Sequence, residues 1–169
     1  MRLPLVLTLA AATFALGACA GFQPLYGDAA VVKGLAAIQV KAPEGRTGYL
    51  IRQHLDDAFA KDHSATPAYA MDLSLGEARY PRGVRIDNTA TRYEYVLTAA
   101  YVLKTLPSGA LAKSGTVRVE LTYDSADQPY ASISAQQDAQ DRAAEEAARR
   151  IELELAVWLA RGGKVAAAK

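Results

Sequence analysis

The sequence predicts an α+β fold: a two-layer sandwich of order β-α-β-β-β-α, with two helices packed on one face of a four-stranded mixed sheet. Three observations carry that expectation. Four stretches alternate apolar and polar residues with the two-residue period of a half-buried strand. Two stretches repeat apolar residues at helical spacing. The apolar helix faces need cover, and the apolar face of the sheet is the surface open to them.

Residues 1–18 precede that domain and read as a secretory signal. Arg2 is their only charge, and Leu3 to Ala18 is apolar apart from Pro4, Thr8, Thr13 and Gly17. A basic end, an apolar run and small residues before a cut form the secretory pattern. The run is shorter than the roughly 20 residues a spanning helix needs. Leu16-Gly17-Ala18-Cys19 places an aliphatic residue and two small ones before the chain's only cysteine. This resembles the lipobox of bacterial lipoproteins, in which the thiol takes a diacylglyceryl group, the peptide is cut before the cysteine, and the freed amine is acylated. The resemblance implies a covalent lipid on Cys19 and no other cofactor. Several acyl chains on one residue hold a protein to a membrane where a single chain does so only marginally. A lone cysteine also excludes an intrachain disulfide.

Residues 19–34 are expected to be a lipidated tether. The Gly and Pro of Gly21-Phe22-Gln23-Pro24-Leu25-Tyr26-Gly27 argue against regular structure. Phe22, Leu25 and Tyr26 either pack on the domain or meet a membrane or partner.

The domain itself is expected over residues 35–163. Ala36, Ile38 and Val40 mark a short first strand. Thr47 can cap a helix running to about Lys61, with Ile51, Leu55, Ala58 and Phe59 on one face. Three long strands follow, at Tyr69–Tyr80, Arg92–Leu106 and Lys113–Asp124. Tyr69, Met71, Leu73 and Leu75 share one face of the first, and Tyr93 to Leu103 alternate along the second. Val117, Val119, Leu121 and Tyr123 oppose Thr116, Arg118, Glu120 and Thr122 on the third. One apolar and one mixed face is the antiparallel pattern. Leu106-Pro107-Ser108-Gly109 is a turn signal that makes the last two strands a hairpin.

The final helix carries Ala144, Ala147, Ala148, Ile151, Leu155 and Trp158 on one face. Ser134 with Gln137 forms a capping-box pair. Glu145 and Arg149, like Glu146 and Arg150, stand at i, i+4. Gly162-Gly163 stops the helix, and residues 164–169 are a flexible tail.

The 169 residues are 51% hydrophobic and 22% charged, which suits one domain with a real core. Removing Arg2 leaves 18 basic against 18 acidic side chains. A nucleic-acid binder, which needs a basic field, is therefore not expected. Neither His54 nor His63 lies in a metal-ligand spacing. There is no phosphate loop and no G-x-S-x-G elbow. Asp56-Asp57 and Glu145-Glu146 are adjacent on helices, so their side chains diverge. These residues give no reason to expect an enzyme.

Arg79, Arg82, Arg85 and Arg92 concentrate around the bend marked by Pro81 and Gly83. Guanidinium offers paired donors in a fixed fork, which suits phosphate. These arginines either converge on an anionic ligand or form salt bridges with Glu77, Asp87 or Glu94. Tyr93, Tyr95 and Tyr101 either pack in the sheet or line an interface.

The combination resembles the LptE family of lipopolysaccharide-assembly lipoproteins. The resemblance rests on the lipobox cysteine followed by Gly21 to Gly27, on the β-α-β-β-β-α order, and on Asp141-Arg142-Ala143-Ala144-Glu145 in the last helix. It runs from the signal segment to about Arg161. It implies a non-enzymatic outer-membrane subunit that plugs the lumen of the β-barrel LptD, assists its assembly and contacts lipopolysaccharide. The family's lipopolysaccharide-binding arginine, before the long third strand, matches Arg85 once one inserted residue is allowed for. A lysine that the family carries between last strand and last helix is missing, because Ser125 to Gln140 contains no lysine or arginine. Arg79, Arg82 or Lys113 are the candidates to replace it. Ala20 fits outer-membrane sorting, since it is not the aspartate that favours inner-membrane retention. The other readings of the same residues are a stand-alone periplasmic lipoprotein for a small anionic or lipid ligand, and an envelope enzyme or inhibitor.

Overall fold

The computed structural model describes residues 28–60, 66–84, 86, 90–125 and 128–163. Its elements are α1 (Ala29–Ala36), β1 (Ile38–Lys41), α2 (Arg46–Ala58), β2 (Tyr69–Val84), β3 (Ala90–Thr105), β4 (Leu111–Asp124) and α3 (Pro129–Ala160). The strands form one sheet in the order β1-β2-β3-β4. β1 runs parallel to β2, and the other pairs are antiparallel. The sheet is thus mixed and four-stranded, as its alternating patterns predict. α2 and α3 cover one face, with Leu97, Ala99, Tyr101 and Leu103 of β3 pressed against Ile51, Leu55, Ala147, Ile151 and Leu155. No described helix covers the other face, the open face of the sheet among the described residues.

Three helix starts differ from the sequence expectation, each for a physical reason. The first is an added helix. α1 occupies residues expected to belong to the tether, and it takes Ala36 from the first strand. Asp28 caps it, accepting a bond from the Ala30 N–H at 2.8 Å, and Val31 and Leu35 are buried one turn apart. Two apolar residues are too weak a period to read in advance. Packing supplies the rest, since Gly34 lets the helix lie against Leu159 of α3, where a Cβ would stand 2.9 Å from Cδ2.

The second difference is the start of α2. Gly45 holds the cap position and makes no side-chain cap bond. Thr47 sits inside the first turn, 3% exposed, with its hydroxyl turned to Tyr95. The third is α3, which starts at Pro129, before the expected Ser134, with Gln128 at the cap. Proline suits the first helical position because its fixed φ matches the helix and its missing N–H is not needed there. The first turns of α3 put Ser132, Ala135 and Gln136 toward the sheet. Small and polar residues there hide the helical period.

The strands are longer than their apolar patterns. β2 continues through Pro81 to Val84. The Tyr69 N–H points outward to the Ala37 carbonyl, while the Ala68 carbonyl points inward and accepts from Leu106. By alternation, odd-numbered residues of β2 turn their backbone groups to the outer edge, and Pro81 is one of them. A proline is tolerated there because no ladder bond is lost. At the opposite edge, Arg150 of α3 donates to the outward carbonyl of Arg118 in β4 at 3.0 Å.

Tyr101 crosses between the layers. Its ring is 1% exposed, and its hydroxyl donates to Glu154 of α3 at 2.7 Å. It fits because its β4 neighbour is Gly115, where a Cβ would fall 2.6 Å from the ring. α3 ends as expected, with Gly162 and Gly163 at φ of 79° and 61°.

Candidate functional site

The arginine-rich end of the sheet is the surface singled out by the sequence, and strand alternation divides it. Arg79 and Arg82 stand three apart on β2, so their side chains leave opposite faces. Arg82 lies on the open face opposite Arg92. Each takes its own carboxylate: Arg82 bonds Glu94 through Nε at 2.6 Å, and Arg92 bonds Asp124 at 2.8 Å. Asp124 raises the Arg92 pKa, first through its hydrogen bond and then through its charge. Arg82 makes the expected salt bridge with Glu94, whereas Arg92 takes Asp124, a partner that the sequence did not suggest. Arg118 and Glu120 add a further pair on this face.

Arg79 is different. It lies on the helix-covered side, with its guanidinium 4.8 Å from the centre of the Tyr93 ring. Its Nη1 donates to Gln136 Oε1 of α3 at 2.7 Å. Tyr93 in turn stacks on Tyr123, centroids 5.7 Å apart. An amide and an aromatic face hold the group in place without neutralising it, unlike a carboxylate. Tyr123 is 6% exposed, and its hydroxyl is buried without a hydrogen-bond partner. Gln136 and Tyr123 were not legible as site residues in the sequence. Starting the last helix at Pro129 would have revealed Gln136, because that phase turns it to the sheet.

The remaining candidates lie apart. Arg85, Cys19, Asp87 and His63 fall outside the described residues. Lys113 cannot join the arginines. It pairs with Leu103, whereas Arg92 pairs with Asp124, and eleven residues of β4 separate the two points, about 35 Å at the usual rise. Glu77 accepts from the Tyr95 hydroxyl at 2.6 Å instead of pairing with an arginine in the described contacts. Tyr95 and Tyr101 are buried, so packing is their role, and burial first, then the bonds to Glu77 and Glu154, pushes both phenols well above their ordinary range. His54 bonds Asp141 of α3 at 3.0 Å. Glu146 binds both Arg149 and Arg150, so the expected Glu145–Arg149 pairing is replaced by an i, i+3 pair.

Two surface depressions are open and shallow. One lies between β4 and α3, with charged walls that include Glu120, Arg142, Glu145 and Arg149. The other lies beside the start of α2, among Pro43, Gly48, Tyr49 and Arg52. Neither is the deep apolar pocket expected of a stand-alone lipid binder. Among the described residues there is no acid, histidine and cysteine cluster able to hold a metal ion. No described helix is long and apolar enough to cross a membrane.

Comparison with known proteins gives this arrangement a context. No curated protein matches the chain. Among solved structures it is similar to a Caulobacter crescentus CB15 protein assigned to the lipoproteins, at 51% identity and a TM-score of 0.69, covering 82% of this chain and 100% of that one. The rare lipoprotein B of Shewanella oneidensis shares the fold at 12% identity and a TM-score of 0.56, covering 73% and 95% of the two chains. Lipoprotein B of Nitrosomonas europaea does so at 14% identity and a TM-score of 0.55, covering 74% and 84%. The profile of the family described as LptE, Lipopolysaccharide-assembly, matches residues 35–155, the domain from the end of α1 to the last turns of α3. The chain therefore belongs to the LptE family of lipopolysaccharide-assembly lipoproteins.

Proposed function

We propose that the mature chain starts at Cys19, is held by lipid on the periplasmic side of the outer membrane, and serves as the non-enzymatic subunit that plugs and helps assemble an LptD-type β-barrel. Membership of the lipopolysaccharide-assembly family over residues 35–155 carries this reading. The geometry supports it. A plug needs a broad polar surface rather than a cavity, and the open sheet face presents Arg82–Glu94, Arg92–Asp124 and Arg118–Glu120 as mutually neutralised pairs. Such a face can lie against a hydrated lumen without a large desolvation cost.

Lipopolysaccharide contact belongs to the same proposal. Of the described arginines at this end of the sheet, Arg79 is held by an amide and a ring rather than by a carboxylate, and Arg85 lies close to it in sequence. A guanidinium braced by Tyr93 and Gln136 loses little freedom on meeting a phosphate. Arg82 contributes less, because Glu94 already occupies it.

Purification of the tagged chain from gently solubilised outer membranes is expected to recover a large barrel protein in equal amount. Recovery of the lipoprotein alone, under conditions that keep such complexes intact, would count against the plug. For the ligand, Arg79→Glu and Arg85→Glu should each weaken lipopolysaccharide binding, with Arg82→Ala nearly neutral. Unchanged binding in both charge reversals would remove this end of the sheet from the site.

A further inference from the structure

The end of the sheet opposite the arginines carries a second surface. The β3–β4 turn exposes Leu106, and Leu111 and Val102 stand beside it on the open face, where Leu111 is 57% exposed. Leu111 lies across the ladder from Lys104, and Val102 is two residues before Lys104 on β3. Lys104 bonds Asp72 at 2.8 Å, and Lys41 stands next to Asp72 across β1 and β2. Two lysines thus flank Asp72, which Lys104 bonds, beside three exposed aliphatic side chains. Aliphatic tips ringed by lysines match the chemistry of a bilayer interface, where apolar groups enter the acyl boundary and ammonium groups meet phosphate.

The path of the chain says which surface this end meets. The Ala68 carbonyl accepts from the Leu106 N–H at 2.8 Å, and the Ala68 N–H donates to Ala37 at 2.9 Å. The turn and the end of α1 are therefore neighbours. α1 has eight residues, about 12 Å of helix. Nine residues separate Asp28 from Cys19, at most about 32 Å of extended chain. The sixteen residues of β2 carry the arginine end about 50 Å from this one. The leash from a lipidated Cys19 therefore joins the domain at the turn end, the end that the anchor draws toward the bilayer first.

We infer that the β3–β4 turn is a membrane-contact element, in which Leu106 and Leu111 enter the headgroup boundary of the leaflet that holds the anchor and Lys41 and Lys104 face its phosphates. This rests on the lipid anchor proposed for Cys19. It adds a second, non-covalent contact that fixes which end of the domain faces the lipid.

The test uses the full lipidated chain in vesicles of phosphatidylethanolamine and phosphatidylglycerol. A nitroxide is placed at Leu111→Cys and, separately, at Thr122→Cys near the arginine end. Both positions are exposed, so labelling leaves the core intact. With vesicles, accessibility of the Leu111 probe to a water-soluble relaxation agent should fall at least fivefold, and its accessibility to oxygen should rise. The Thr122 probe should not change. A Leu111 probe that stays fully aqueous while the protein floats with the vesicles would overturn the inference and leave the anchor standing. Failure to float would remove the anchor and the inference with it. Protection of Leu111 in the detergent-purified barrel complex, with vesicles giving none, would assign the patch to a protein partner and overturn the lipid reading.

Discussion

The two ends of the β-sheet are built by different means. Toward the β3–β4 turn, Met71, Ala99, Leu103, Ile151 and Leu155 are wholly buried between sheet and helices. Toward the β2–β3 hairpin the strands outrun that core. There the inward positions become Glu77 and Arg79, and order comes from an arginine on a tyrosine stack and from exposed ion pairs. Apolar burial is worth more per side chain than exposed pairing. One end therefore supplies the stability, while the other presents chemistry at low cost to the fold. A site placed on the second end can vary without threatening the first.

Substitution at the two ends gives the largest contrast. Ile151→Ala is expected to destabilise the domain by about 3–4 kcal/mol, as large-to-small changes in closed cores do. Arg79→Ala is expected to cost less than about 1 kcal/mol. Urea unfolding of the mature domain measures both, and similar losses would collapse the comparison. A smaller effect probes how tightly the core end is fitted. Gly115→Ala pushes a methyl group into the Tyr101 ring and should cost about 1–3 kcal/mol. Adding Tyr101→Leu should recover part of that loss, and strict additivity would show that the crowding is relieved elsewhere.

Alkali sharpens the same contrast. Burial and the acceptors Glu154 and Glu77 raise the phenol pKa values of Tyr101 and Tyr95 above the ordinary 10.0. The unfolded chain therefore releases these protons first. Their stabilising effect is complete below pH 10 and is lost as pH rises beyond it, at up to about 1.4 kcal/mol per pH unit for each group. Denaturation midpoints should fall between pH 9 and 11, and Tyr101→Phe should fall less steeply. Acid gives the smallest effect. Lys104, by hydrogen bond and charge, lowers the Asp72 carboxyl. Its contribution is present above the ordinary carboxylate pKa and is lost as pH falls below it. The pair is exposed, so Asp72→Asn should flatten the acid limb only slightly.

Much of this was legible because period reports burial. The alternation in Met71 to Leu75, Tyr95 to Leu103 and Val117 to Tyr123 located three strands and their inward face. Ala144 to Trp158 located the long helix. Where burial was thin, the period failed. α1 buries only Val31 and Leu35, and the first turns of α3 hide behind Ser132, Ala135 and Gln136. The site was legible in composition but not in arrangement. Four arginines near one hairpin left convergence and salt bridging both open; alternation sends Arg79 and Arg82 to opposite faces, and carboxylates take Arg82 and Arg92. Those pairings depend on register across strands, which no local pattern encodes.

The backbone details at the two sheet edges bear on how copies of this chain behave toward one another. Among the described residues β1 covers only Tyr69 to Asp72 of β2, and no strand pairs with the outer edge of β2 beyond that point or with the outer edge of β4. Long bare edges invite strand-to-strand growth into fibrillar aggregates. On β2, Pro81 withholds a donor at an outward position. On β4, Arg150 already occupies an outward carbonyl, and Arg118 and Glu120 add charge beside it. Each edge is thereby interrupted near its middle or beyond, so a second copy cannot zip along its full length. One missing proton and one bound guanidinium thus stand against strand-to-strand growth between copies of the chain.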